Sequence, residues 1–158
     1  MTYVSYRTGK VMARRDFYSA LVYAREVPVI GAFAYYVLKL MGVEIPRSVV
    51  FGKGFILVHG GFGVVIHPNT TIGDGVKIYP GVTLGRADIH LPIENSSFKG
   101  IFVEDEVILS PGAKVLGGEG HLRIGKGTIV GANAVLLEST EPGEIWAGVP
   151  ARRVGHRQ

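Results

Sequence analysis

The sequence predicts an all-β solenoid, a parallel β-helix of about four coils, and three observations carry that prediction. An aliphatic residue returns every sixth position from Ile66, in IHPNTT, IGDGVK, IYPGVT and then Leu84-Gly85. The same beat resumes after each interruption, at Val103, Leu109 and Val115 and again at Ile124, Val130 and Leu136. Glycine accounts for 23 of the 158 residues with no Gly-X-Y period, while 47% of residues are hydrophobic, so the chain turns often yet has a core to bury. A period of six is neither helical nor simply strand-like. It marks a coil that turns a corner every few residues, and faces of adjacent coils stacked about 4.8 Å apart give a prism roughly 20 Å tall.

Residues 1 to 11 carry no clear period. Arg14 and Arg15 lead into FYSALVYAREVPVIGAFAYYVLKLMG, whose helix formers predict two short helices broken near Pro28. Phe33, Tyr36, Val37 and Leu40 fall at helical spacing and are expected to pack on the end of the solenoid. Arg14, Arg15, Arg25 and Lys39 make peripheral membrane contact through residues 12–41 the alternative use of this segment. Its apolar run, Val27 to Met41, is interrupted by Pro28 and Lys39 and is too short to span a bilayer. Gly42 is a natural helix stop, which divides the chain into an N-terminal helical segment, 1–42, and a coil domain, 43–158.

The beat starts at Ile45 and passes Phe51 and Leu57. From Leu57 to Ile66 the interval is nine residues instead of six, so VHGGFGVV must bulge, and His59 lies in that irregularity. Between Leu84 and Val103 about thirteen residues leave the coil as one long protruding loop, roughly Gly85 to Lys99 (85–100), and a loop that long in a tight solenoid is usually functional. Val115 to Ile124 is again nine, which places GGEGHLR in a small excursion. The tail, with Ile145, Trp146, Arg152 and Arg153, closes the coil as part of the same domain. Prisms this small expose flat faces that side-by-side packing into a homotrimer would bury.

A formal net charge of +4 favours a polyanionic partner, whether a nucleic acid, a membrane surface or a phosphorylated cofactor, and charge alone does not choose among them. Nucleic acid is the weakest candidate, because Lys and Arg are scattered with no DNA-binding or base-stacking pattern around them. The absence of cysteine excludes a disulfide framework and a thiolate nucleophile. No signal-peptide layout is present at the amino terminus, and the expected location is cytoplasmic.

The beat, GKGFILVHGGFGVVI, the GVTLG before the long loop and the carboxy-terminal AGVPARRVG resemble the hexapeptide-repeat acyltransferases, specifically their serine acetyltransferase-like branch, over about residues 42 to 155. The resemblance implies a left-handed β-helix and a homotrimer with acetyl-CoA as co-substrate in clefts between subunits. The family's Asp-His-Ala-Thr-Gly motif falls where this chain has Val58-His59-Gly60-Gly61-Phe62-Gly63, so His59 matches and the preceding aspartate does not. The family's loop holds an Arg-His pair, whereas this loop reads RADIHLPIENSSFKG and offers His90. A short helical start, a glycine-rich His motif and Phe98-Lys99-Gly100 look more like members that acetylate sugars in surface-polysaccharide biosynthesis.

Acetyl transfer to a hydroxyl requires a proton to be removed as oxygen attacks, and histidine suits that work near neutral pH. His59 is the candidate base, with Gly60, Gly61 and Gly63 expected to let backbone approach the substrate. His90 is the second candidate catalytic residue, able to orient the acceptor or act as an acid-base group from the loop. Asp88 and Glu94 are possible partners for an imidazole or for sugar hydroxyls, and a backbone N–H near Gly85 is a candidate oxyanion donor. His67, at a repeat corner, reads as structural. For CoA, the resemblance suggests Gly85 and Arg86 at the loop's root, Pro111 and Gly112, and Gly131 and Ala132, with Arg152, Arg153 or Lys99 meeting the phosphates.

The expected function is therefore acetyl-CoA-dependent O-acetylation of a small-molecule or glycan acceptor, a sugar hydroxyl first, with serine O-acetylation the alternative and a non-catalytic scaffold a further one. No metal is expected. The zinc-binding γ-class carbonic anhydrases share the coil, but their closely spaced histidine pair has no counterpart here.

Overall fold

The computed structural model describes residues 17–157, so Arg14 and Arg15 lie outside the described residues. Two helices, α1 (Phe17–Ala24) and α2 (Ile30–Leu40), precede the coil. The first coil is β1 (Val50–Phe51), β2 (Ile56–Leu57) and β3 (Val65–Ile66), and the second is β4 (Thr70–Ile72), β5 (Lys77–Ile78) and β6 (Thr83–Arg86). The third is β7 (Phe98–Val103), β8 (Ile108–Leu109) and β9 (Lys114–Gly117), and the fourth is β10 (Gly120–Ile124), β11 (Ile129–Val130) and β12 (Val135–Leu136). They stack as three parallel faces: β1-β4-β7-β10, then β2-β5-β8-β11-β13, then β3-β6-β9-β12. β13 (Glu144–Ala147) begins a fifth turn, and β14 (Arg152–His156) folds back antiparallel on it to close the stack.

The six-residue beat is the register of this stack. Phe51 pairs with Ile72, Ile72 with Val103 and Val103 with Ile124, and the same holds for Leu57, Ile78, Leu109 and Val130 on the second face. Apart from half-buried Phe51, each beat residue and the residue two before it, such as Val82 with Leu84 and Val107 with Leu109, are buried. Positions two apart on an extended segment share a side, so every face contributes a pair of side chains to a continuous aliphatic column. Corners between faces recur in register and take left-handed backbone, as at Gly81 and Gly112, whose Cα atoms lie so close that a Cβ on Gly81 would meet Gly112 at 3.5 Å.

The open end of the stack is capped by Arg25. Ahead of the first coil only a short segment around Glu44, bridged to Val65, is stacked, and the guanidinium donates to carbonyls at this end: Nε to Val22 O of α1 at 2.9 Å, Nη1 to Ile45 O at 3.0 Å and to Pro46 O, and Nη2 to Val49 O at 3.4 Å. Its guanidinium carbon lies 5.1 Å from the centroid of Phe51. Burial, ahead of the neighbouring charges, brings its pKa down to about 10, which still leaves it charged at neutral pH. From α1, Tyr23 Oη donates to Gly52 O at 2.6 Å, and Ser19 Oγ accepts the Leu57 N–H at 3.0 Å, which docks the helix on the first coil.

Three sequence expectations are corrected. The packed side of α2 is Gly31, Ala34 and Leu38, while Phe33, Tyr36 and Leu40 are exposed and Val37 is half-buried. Close approach decides this at the start of the helix: a Cβ on Gly31 would lie 2.2 Å from Arg25 O, so only glycine fits against the cap there. The loop is shorter than 85–100, because Gly85 and Arg86 remain in β6, paired with Leu116 and Gly117, and Lys99 is already in β7. GGEGHLR is not an excursion: β9 runs to Gly117 and β10 begins at Gly120, so the extra residues lengthen strands. No helix among the described residues is long and apolar enough to cross a membrane.

Candidate functional site

His59 sits where the second and third faces meet, in the 3₁₀ turn Val58–Gly61 that absorbs the long interval between Leu57 and Ile66. Its backbone is left-handed (φ 52, ψ 31), uncommon for a residue with a side chain and a sign that the surrounding packing dictates it. Its side chain is exposed and meets Tyr79, from the corner of the next coil, edge to face at 6.2 Å between ring centroids. The neighbouring glycines do not hold space open for a substrate. A Cβ on Gly60 would meet Tyr18 and Phe62, each at 3.2 Å, one on Gly61 would strike Leu57 at 2.4 Å, and one on Gly63 would lie 3.6 Å from Gly81. Gly60 and Gly61 let α1 and the coil close tightly around the His59 turn, whereas the contact at Gly63 is an ordinary one.

Below His59 on the same edge the corners stack directly. Gly81 N donates to Phe62 O at 2.8 Å, Gly112 N to Pro80 O at 2.9 Å and Asn133 N to Pro111 O at 2.9 Å. His59, Pro111 with Gly112, and Gly131 with Ala132 therefore share one edge of the prism. Gly85, Arg86, Lys99 and the loop bearing His90 occupy the next edge, across the third face. Arg152, at the closing end, is exposed and lies 3.7 Å from Glu138. Arg153 pairs with Glu144 at 3.5 Å.

The loop is held by its own root. Arg86 Nη2 donates to Leu91 O at 2.7 Å, and its Nη1 reaches Asp88 O at 3.2 Å and Asp88 Oδ1 at 3.3 Å. Ser96 Oγ donates to Asp88 Oδ2 at 2.6 Å, and that hydrogen bond, the largest influence, together with the Arg86 charge holds the Asp88 carboxyl below its ordinary range although burial, second in size, raises it. Asp88 thus serves the loop instead of an imidazole, and Arg86 spends its donors there. Glu94 is an exposed residue of the loop. The Ala87 N–H, which follows the loop root, goes to Gly117 O at 2.7 Å, so it is not an oxyanion donor. His90 is exposed with no hydrogen bond or ring contact among the described residues.

Where the loop folds back on the third face it encloses a groove of about 470 Å³. Val65, Leu84, Ile89 and Leu116 make its apolar wall. Gly85, Arg86 and His67, the last read in sequence as a structural corner, line it too. Among the described residues no three His, Asp or Glu side chains come together as a metal site.

No family model matches the chain. Serine acetyltransferase of Helicobacter pylori (strain J99) is 34% identical over 152 residues, which cover 94% of this chain and 77% of that protein. The chain belongs to the serine acetyltransferase family. Serine acetyltransferase of Mycobacterium tuberculosis is 37% identical over 119 residues, covering 75% of this chain, and the chain spans about half, 48%, of that relative's length. Among solved structures, Neisseria gonorrhoeae serine acetyltransferase in complex with serine superposes with a TM-score of 0.67 at 26% identity, over 87% of this chain and 55% of that one. Brucella abortus serine acetyltransferase in complex with coenzyme A gives 0.68 at 28% identity, over 82% and 50%. These relatives support the serine acetyltransferase branch and not the polysaccharide branch that the glycine-rich His motif suggests.

Proposed function

We propose that this serine acetyltransferase family member is an acetyl-CoA-dependent O-acetyltransferase acting on the hydroxyl of L-serine, with His59 as general base. The observation that carries the proposal is the exposed imidazole of His59, fixed by a left-handed turn at the position of the family's motif histidine. Imidazole takes the serine hydroxyl proton as that oxygen bonds to the thioester carbonyl carbon. The tetrahedral intermediate collapses with cleavage of the carbon–sulfur bond, and the imidazolium returns the proton to the departing CoA thiolate. The products are O-acetylserine and CoA, and His59 ends as it began.

A homotrimer completes the site. Within one chain, Pro111, Gly112, Gly131 and Ala132 share the His59 edge, whereas Gly85, Arg86, Lys99 and His90 belong to the loop edge, one face away. A cleft between two subunits would set the first edge of one against the second edge of its neighbour, with CoA between them and His90 orienting the acceptor. In this arrangement the apolar groove under the loop receives the pantetheine arm, and Lys99 and Arg152 meet phosphates. The left-handed winding and the cytoplasmic setting belong to the same reading. So does a peripheral membrane contact of residues 12–41 through exposed Phe33, Tyr36 and Leu40, which flotation with anionic lipid vesicles would test.

Acetylation of a sugar hydroxyl is the second reading, and one observation favours it. Tyr18 and Phe62 approach Gly60 and Tyr79 meets the His59 ring, so aromatic rings gather around the turn, and such rings suit the apolar face of a pyranose. Release of CoA thiol from acetyl-CoA, with L-serine set against a panel of simple and nucleotide sugars, separates the two. Turnover with serine alone is the expected result; turnover with a sugar alone replaces the acceptor, and no release with any acceptor rejects the enzymatic reading.

A further inference from the structure

His67 lines the groove under the loop, yet the acetyl-transfer chemistry makes no use of it. Two contacts fix its ring: Nδ1 accepts the Asn69 N–H at 3.1 Å, and the ring meets Phe98 edge to face with centroids 5.0 Å apart and planes at 90°. Burial first, and the charge of Arg86 second, push its pKa below the ordinary histidine value, so the ring is neutral at neutral pH. In a neutral ring whose Nδ1 accepts, the proton resides on Nε2. That N–H lies on the far side of the ring from Asn69 and has no partner among the described residues.

Of the other polar side chains around the groove, Arg86 donates to Asp88 and Leu91, the Thr83 hydroxyl accepts from the Lys114 ammonium at 3.2 Å, and Glu44 carries a carboxylate. With the Arg86 charge balanced by Asp88 at 3.3 Å, the groove has little to attract a phosphate. It matches a largely apolar chain that carries a neutral carbonyl.

We infer that His67 is a neutral hydrogen-bond donor that reads an amide carbonyl of the pantetheine arm through Nε2–H, and so sets affinity for the acyl donor. The inference rests on the proposed binding of CoA in this groove. His67 acts on binding and takes no part in the proton transfer assigned to His59.

Titration calorimetry of the full chain with CoA tests it, using wild type, His67→Phe and His67→Gln, with thermal melts of each variant to establish folding. Phenylalanine keeps a ring against Phe98 but removes the Nε2 donor together with the Nδ1 acceptor of the Asn69 N–H, a loss that the melts report; glutamine restores a neutral N–H donor. The expected result is a Kd about tenfold weaker for His67→Phe, the size of one lost hydrogen bond, and within about threefold of wild type for His67→Gln. Unchanged affinity in His67→Phe overturns the inference while leaving the proposed function standing. Equal losses in both folded variants overturn it as well, since ring shape and not the donor would then matter. A wild-type chain that does not bind CoA rejects the proposed function and this inference together.

Discussion

The ring of His59 meets the ring of Tyr79 edge to face, 6.2 Å between centroids, and so the candidate base in the first coil is braced by the corner of the second. This contact is between rings and does not use the tyrosine hydroxyl. Tyr79→Leu is expected to lower kcat about three- to tenfold with little change in KM for acetyl-CoA, because it frees the imidazole to leave its productive orientation. Tyr79→Phe should keep nearly full activity in the same steady-state assay.

Gly60 links α1 to the base. Its φ of +77, and a Tyr18 ring that would lie 3.2 Å from any Cβ placed there, make Gly60→Ala doubly unfavourable, at about 1–2 kcal/mol for the backbone alone. Reduced stability by chemical denaturation and a further drop in kcat are expected together. Adding Tyr18→Ala should recover part of the steric loss but none of the backbone cost, a coupling that a double-mutant cycle reads directly.

The Arg25 cap predicts an asymmetric result. Arg25→Met strands buried carbonyls of Val22, Ile45 and Val49, at a cost of about 2–4 kcal/mol and a fall in Tm of about 5–12 °C. Arg25→Lys should recover little, since a single ammonium cannot reproduce a planar fork spread across separate carbonyls.

Glu144 gives the fold a pH-dependent contribution. Its burial raises the carboxyl pKa, but hydrogen bonds from Trp146 Nε1 at 2.8 Å and Glu141 N at 3.0 Å, with the charges of Arg153 and His156, outweigh burial and hold the pKa below the ordinary value. A depressed carboxyl stabilises the folded chain above its unfolded pKa of about 4.3, and that stability is lost as pH falls through the folded value. Glu144→Gln is therefore expected to be less stable than wild type at pH 7, with the difference closing as denaturation is measured at pH 4 and below.

The coil is legible in the sequence because its physics is local and repeated. Each face needs one inward pair, so Ile72, Ile78 and Leu84 announce three faces of one turn, and the nine-residue interval after Leu57 marks the turn that holds His59. The contact side of α2 is not legible, because at the start of the helix it is set by how closely Gly31 can approach Arg25 O and not by hydrophobicity. Nor are the loop's limits, since backbone ladders carry β6 through Gly85 and Arg86 whatever their side chains. The glycines beside His59 look in sequence like room for substrate, yet the ring that fills the space at Gly60 comes from Tyr18, some forty residues earlier. His67 gains its surroundings only when the loop folds back over the third face. Its one sequence signal is a histidine directly after the beat residue, where the other coils have Gly85, Leu116 and Leu137.

Removal of the acceptor's proton by His59 is measured most directly as kcat for CoA release with the best acceptor, in wild type and in His59→Ala. General-base catalysis of this kind contributes about 10²–10⁴-fold, so a loss of that size with CoA affinity and Tm retained is the expected result. An alanine variant that turns over within a few fold of wild type contradicts a general-base role for His59.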